Sequence, residues 1–194
     1  MTSGINVDQI VAPSPNIQGG VWRAPRGTVL PTDTTTALDA AFVSLGYVDD
    51  DGVSLAVDRP STDHYAWGGD LIASLQQHYA PTWTFKLYQV LDPDVLKAVH
   101  SDSNVTVTAA TQSSGTLTTV NMNALLNVNS AWTIECFYQA STIRFTMPNA
   151  RVVTVGTQQF THKNLAVIPV TLKPFPDGNG NFCYQITDDG VLAA

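Results

Sequence analysis

Four histidines, two cysteines and a single glutamate carry most of the chemistry open to this chain of 194 residues. A metal site asks for ligands at short, regular spacing, such as histidines four apart on a helix or a Cys-x-x-Cys pair. His64, His78, His100 and His162 fall in four different segments, and Cys136 and Cys183 stand far apart, so no metal or zinc site is expected. The run Asp49-Asp50-Asp51-Gly52 has neither the alternating ligands nor the closing glutamate of a calcium loop, and reads as a tight turn. No G-x-S-x-G elbow, P-loop or G-x-G-x-x-G fingerprint occurs. Acid and base catalysis by paired carboxylates has little to draw on, because Glu135 stands alone and the aspartates cluster in turns. No catalytic residue, cofactor or enzyme activity is expected.

Charge narrows the partners. The formal net charge is -7, only 13% of residues are charged, and 44% are hydrophobic. Binding to phosphates depends on Lys and Arg displacing counterions, and no basic stripe exists, so a stable grip on nucleic acid is excluded. Arg23 with Arg26 and Arg144 with Arg151 are expected to be isolated, solvated cations. No run of about 18 apolar residues stands together, and no basic segment leads into an apolar one near the start, so neither membrane insertion nor secretion is expected. Low charge with abundant Thr, Asn, Gln and Ser suits a surface covered by copies of itself, since charges are depleted at interface cores. The two cysteines are expected as buried or half-buried free thiols.

The elements that would position these residues are mostly strands. Residues 82–91 alternate, with Trp83, Phe85, Leu87 and Leu91 on one face, and the period changes to about 3.6 at Asp92-Pro93. Asp92 is placed as an N-cap, Pro93 as the first helical residue, and Leu91 to staple onto Leu96; Lys97 and His100 suit the dipole at the helix end. Leu38, Ala41, Phe42 and Leu45 recur at helical spacing before Gly46, which predicts a turn or two of helix within residues 34–46. Strands are predicted over residues 53–58, 71–79, 105–110, 116–121, 132–139, 142–147, 151–157, 165–173 and 182–187. Pro169 predicts an edge or bulged position for its strand. Residues 59–69 read as a long hairpin tip bearing Tyr65 and Trp67. Residues 1–31, rich in Gly, Pro, Ser and Asn, read as an extended arm in which Val21 and Trp22 would dock on a neighbour or on their own body. Residues 32–194 form one domain, a β-sandwich or partly closed β-barrel with one short flanking helix.

Residues 30–47 (LPTDTTTALDAAFVSLGY), Asp51-Gly52-Val53, Ala66-Trp67-Gly68-Gly69-Asp70, the strand-to-helix passage 84–100 and Met147-Pro148-Asn149-Ala150 together resemble the major tail tube proteins of long-tailed bacteriophages, especially those of actinobacteria. The resemblance covers most of the chain through the order and spacing of these segments. It implies a structural virion protein of the siphovirus type, made in the host cytoplasm. Hexameric rings of it would stack into a tube around a tape measure protein, and DNA would later pass through without specific binding. For such stacking the expected contacts are the tip residues Thr62, Asp63, His64, Tyr65, Ala66 and Trp67, the arm residues Val21 and Trp22, and the tail 188–194. Alternatives are a monomeric β-sandwich binding module using exposed aromatics on carbohydrate, a tail terminator, or an injection-system ring protein.

The capping assignment is testable at once: Asp92→Ala should lower stability by about 1 kcal/mol. Urea denaturation checks this, and a midpoint equal to that of the unaltered chain contradicts it.

Overall fold

Period-two alternation builds most of the chain into strands, and the break at Asp92-Pro93 builds the helix. The computed structural model describes residues 10–15 and 19–191. In chain order the strands are β1 (Ser14–Pro15), β2 (Val21–Pro25), β3 (Val43–Ser44), β4 (Ser54–Asp58), β5 (Ser61–Tyr65), β6 (Leu71–Gln76) and β7 (Ala80–Leu87). Helix α1 (Pro93–His100) follows, then β8 (Val105–Thr108), β9 (Leu117–Val120), β10 (Ser130–Tyr138), β11 (Ser141–Val155), β12 (Ile168–Pro174) and β13 (Tyr184–Asp188). The main sheet runs β3-β2-β10-β11-β12-β7-β4, with β1 added to β10 and β13 to β11; β5–β6 and β8–β9 are separate two-stranded sheets. The fold is mainly β and of sandwich type, with ladders that do not close into a barrel. Residues 43–49 cross from one end of the sheet to the other: the Leu45 N–H donates to the Val21 carbonyl at 3.0 Å, and Val48 bridges Leu87.

Strand β11 organises the sheet. Along one side residues 141–150 pair with β10, and along the other residues 142–146 take β13 and residues 150–155 take β12. Two strands were expected here with a break near Pro148. Instead one 15-residue strand runs through, and a register shift opposite Pro148, between Ser130 and Trp132, accommodates the missing N–H. Pro169 likewise lies in an internal strand rather than at an edge. It stands at the strand's start, where its carbonyl still accepts the Gly156 N–H at 2.8 Å.

The main core fills the space between the sheet and α1. Trp83, Phe85 and Leu87 of β7 meet Trp132 and Ile134 of β10, Met147 of β11 and Ile168, Val170 and Leu172 of β12, with Val95 and Val99 of α1 closing the cluster. Asp92 accepts the Asp94 N–H at 2.9 Å and Pro93 occupies the first turn. Leu91 departs from expectation: it is 86% exposed, so it neither continues the apolar face of β7 nor staples the helix, because the chain turns at residues 90–92. At the other end of α1, Asn104 Nδ2 donates to the His100 carbonyl at 2.8 Å and Asn127 Nδ2 to the Val99 carbonyl at 2.7 Å. Two asparagines thus satisfy carbonyls that a helix end otherwise leaves to water.

The second face of the sheet is covered by an irregular strap, and here the helix expected within residues 34–46 is not formed. The residues at helical spacing are divided between two cores: Leu45 enters the main one, whereas Leu38, Phe42 and Leu30 pack with Trp22, Ala24 and Ala131 on the opposite face. A helix would hold them on one side, so burial on both faces overrides the periodicity. Gly46, read as a helix stop, has φ +74° and lies against the Gln89 side chain so closely that a Cβ would collide with it.

Beneath the strap lies a buried ion pair. Glu135 and Arg144 face each other across β10 and β11 with 2.8 Å between Oε1 and Nε, and their side chains are 6% and 5% exposed. Alignment there is poor for a hydrogen bond, so the contact is chiefly coulombic. Arg144 also donates through Nη1 to the carbonyls of Asp33 at 2.5 Å and Thr36 at 2.9 Å, tying the strap to the sheet. The solvated cations expected at Arg23 and Arg144 are therefore both engaged: Arg23 forms a two-pronged pair with Asp102 and donates through Nε to Ser130 Oγ.

Removing one partner of a buried pair strands the other charge, so Arg144→Ala is expected to destabilise the fold by about 3–5 kcal/mol, and Glu135→Gln with Arg144→Met by far less. Chemical denaturation of both variants checks this; equal losses would contradict it.

Candidate functional site

Strands β5 and β6 pair from Ser61 with Gln76 to Tyr65 with Leu71, with a bulge between His64 and Tyr65. The expected loop at residues 59–69 is therefore strand over Ser61–Tyr65. Thr62, Asp63, His64 and Tyr65 lie in β5, and only Ala66 and Trp67 fall in the turn, where Ala66 N–H donates to Asp70 O at 2.8 Å and Gly69 N–H to Ala66 O at 2.9 Å. Gly69 takes φ +91°, a conformation that favours glycine. The run Ser61-Thr62-Asp63-His64 is polar at every position, so it carries no apolar alternation from which a strand could be read.

Every residue of β5 is exposed, and all of β6 except Ala73. Trp67 is fully exposed at the tip, and Tyr65, Leu71, Ile72 and Leu75 are each at least half exposed. A lone two-stranded hairpin is marginal in water, so what holds this one is its base. There the Gln77 side chain donates to Thr62 Oγ1 and the Gln77 N–H to the Pro60 carbonyl. Asp58 lies 3.4 Å from His78, Arg59 stacks over the Tyr79 ring at 4.6 Å, and Tyr79 meets Phe182 edge-on at 5.0 Å. The result is a projecting arm of about 20 Å, by the rise of six strand residues, carrying apolar side chains into solvent.

The remaining candidate residues lie elsewhere. Val21 is fully buried and Trp22 half-buried in strand β2, both packed within this chain's own cores. Of the segment read as an arm, residues 1–9 and 16–18 lie outside the described residues; 21–25 form an inner strand of the sheet and Ser14–Pro15 pair with β10. Residues 192–194 of the tail also lie outside the described residues. Asp92 and Pro93 start α1, remote in sequence from the hairpin.

A polar cluster marks the opposite end of β7. Lys86 Nζ contacts Asp49 at 2.6 Å and also Asp51, and Tyr88 donates its hydroxyl to Asp49 at 2.6 Å. The Lys86 ammonium, with the Tyr88 hydroxyl, holds the Asp49 carboxyl well below the usual range, while Asp49 and Asp51 raise Lys86. The depression beside it, of about 530 Å³, is lined by Asp49, Lys86, Tyr88 and Lys163 and contains no nucleophile paired with a base. Burial pushes the Cys136 thiol up and that of Cys183 up to about 11, which suits packed side chains rather than reactive ones.

A long arm that carries apolar side chains into solvent offers a surface for a neighbour to cover. The sequence profile of phage tail tube proteins matches residues 3–193. The chain belongs to the phage tail tube protein family. A tail tube protein is a structural component of the virion tail, and the family is not one of enzymes. No curated protein matches this one in sequence. Among solved structures, the tube-terminating cap of the anti-feeding prophage is similar at TM-score 0.46 and 11% identity, over 95% of this chain and 99% of that one. The sheath-tube complex of an extracellular contractile injection system, PVC, is similar at TM-score 0.41 and 10% identity, over 94% and 98% of the two chains. Likeness at this level carries no functional argument.

The acid limb of stability follows from the shifted carboxyls. Asp33, capped by the hydroxyl and N–H of Thr36 and then those of Thr35, is lowered from 3.8 to about 2, and Asp49 is lowered too. A depressed carboxyl stabilises the fold fully above its unfolded value and loses that contribution as pH falls. Asp33→Asn with Asp49→Asn should thus melt below the unaltered protein at pH 6, with the gap narrowing as pH falls from about 4 to 2. Thermal scans across that range check this; a gap constant with pH contradicts it.

Proposed function

We propose that this tail tube protein forms hexameric rings which stack into the hollow conduit of a long, non-contractile phage tail. The projecting β5–β6 hairpin is the observation that carries this reading. An arm that adds no large side chain to its own subunit's cores, yet is braced at its root and ends in an exposed Trp and Tyr, suits contact with a subunit of the next ring. Thr62, Asp63, His64, Tyr65, Ala66 and Trp67 are the residues assigned to that contact. Within the segments 1–31 and 188–194 the parts outside the sheet are assigned a supporting role at subunit junctions, whereas Val21–Pro25 belong with residues 32–194 in the principal domain.

The charge supports a conduit for DNA. Subunits of net charge -7 give a wall that repels phosphates on balance, so that DNA meets few cations to slow it in transit. A tape measure protein occupies the lumen during assembly in the host cytoplasm, and DNA replaces it at ejection.

Tyr65→Ala with Trp67→Ala should leave a subunit of unchanged melting temperature, since both side chains lie outside the cores, yet shorten or abolish tubes. Negative-stain microscopy of the assembled protein reads this; tubes of unchanged length contradict the assignment of the hairpin to stacking.

A further inference from the structure

The segment following β9 holds large apolar side chains in solvent while its asparagines tie it to the body. In the run NMNALLNVN, residues 121–129, three asparagine side chains bond to the body: exposed Asn123 to Asn104 Oδ1 at 2.9 Å, half-buried Asn127 to the carbonyls of Val99 at 2.7 Å and Val152 at 3.2 Å, and half-buried Asn129 to Asn149 at 2.8 Å. The large apolar residues between them face solvent, with Met122 77%, Leu125 72%, Leu126 76% and Val128 60% exposed. Leu117 of the neighbouring β9 is exposed as well. This is no loose loop, because Ser101 Oγ accepts the Val128 N–H at 3.0 Å and the Asn104 carbonyl accepts the Asn121 N–H at 2.8 Å, fixing the segment to the end of α1. A rigid mount that turns leucines outward is a surface built to be covered.

What covers it follows from charge. From residue 103 to residue 134 the chain has no Asp, Glu, Lys or Arg, although its total is 16 acidic and 9 basic residues. Copies of a subunit with net charge -7 repel one another on balance, and approach at least cost where neither presents carboxylates. DNA would call for cations, and none is present in this stretch. The hairpin β8–β9 beside it has two strands, exposed at most positions, with neither the charges nor the prolines that guard a free sheet edge. We propose that residues 117–128 form a contact with a second copy of this chain, separate from the contact of the β5–β6 hairpin; this rests on the reading of the protein as a tube subunit.

The test inserts a charge of either sign at the centre of the patch. Leu125→Asp and Leu125→Lys are compared with Leu125→Met in the full chain, with folding followed by circular dichroism and assembly by sedimentation and negative-stain microscopy. Both charged variants are expected to fold as the unaltered protein does and to need about tenfold or more protein to polymerise, whereas Leu125→Met assembles normally. Using both signs separates desolvation of the patch from a change in net charge. If both charged variants polymerise at the ordinary concentration, the patch assignment is overturned while the tube reading stands. If the unaltered protein never polymerises, both fall. Should a charged variant fail to fold, a photo-crosslinking residue at Leu125 in assembled protein decides: a crosslink to a second copy supports the contact, and no such crosslink overturns it.

Discussion

The pairing of β10 with β11 is the constraint on which the rest depends, because these two strands are covered on both faces. On one side Trp132, Ile134 and Met147 enter the main core; on the other Thr133, Glu135, Arg144 and Thr146 are buried under the strap. Register is therefore doubly specified, since a slip of one residue would put Arg144 in the apolar core and Ile134 beneath the strap. The Glu135–Arg144 pair adds little net energy to this, as desolvation offsets attraction in such pairs, but it makes alternative registers costly. Strands β2, β12 and β13 then attach to a scaffold whose position is already fixed.

Everything turned outward contrasts with that scaffold. The hairpin β5–β6 and the segment after β9 both carry large apolar side chains in solvent, and both are braced at their roots by specific hydrogen bonds. A protein that functioned alone would gain solubility by exchanging these side chains for charged ones. Low charge and exposed apolar projections fit a tail tube protein, whose surface is completed by assembly rather than by water.

The sequence was most legible where one period governed one face. The strand-to-helix passage, the Asp92 cap and the turn at residues 49–52 could be read from local chemistry, and so could the mainly β architecture. It was least legible where a segment served two cores. Leu38, Phe42 and Leu45 mimic a helix only because the strap crosses the sheet, a tertiary arrangement invisible to periodicity. Arg144 and Arg23 gave no sign of burial or pairing, since their partners lie across the sheet or far along the chain. The β5–β6 hairpin was singled out by its aromatics, and β6 lies within the strand expected over residues 71–79, but β5 was read as loop; the run at residues 121–129 carried a signal in its interleaving of Asn with apolar residues.

Self-association is the central claim, and the most direct measurement is electron microscopy of the purified protein over a concentration series, paired with analytical ultracentrifugation. Rings or hollow tubes that grow with concentration are the predicted result. A single sedimenting species of 20.8 kDa at every concentration, with no particles in the micrographs, would contradict the account.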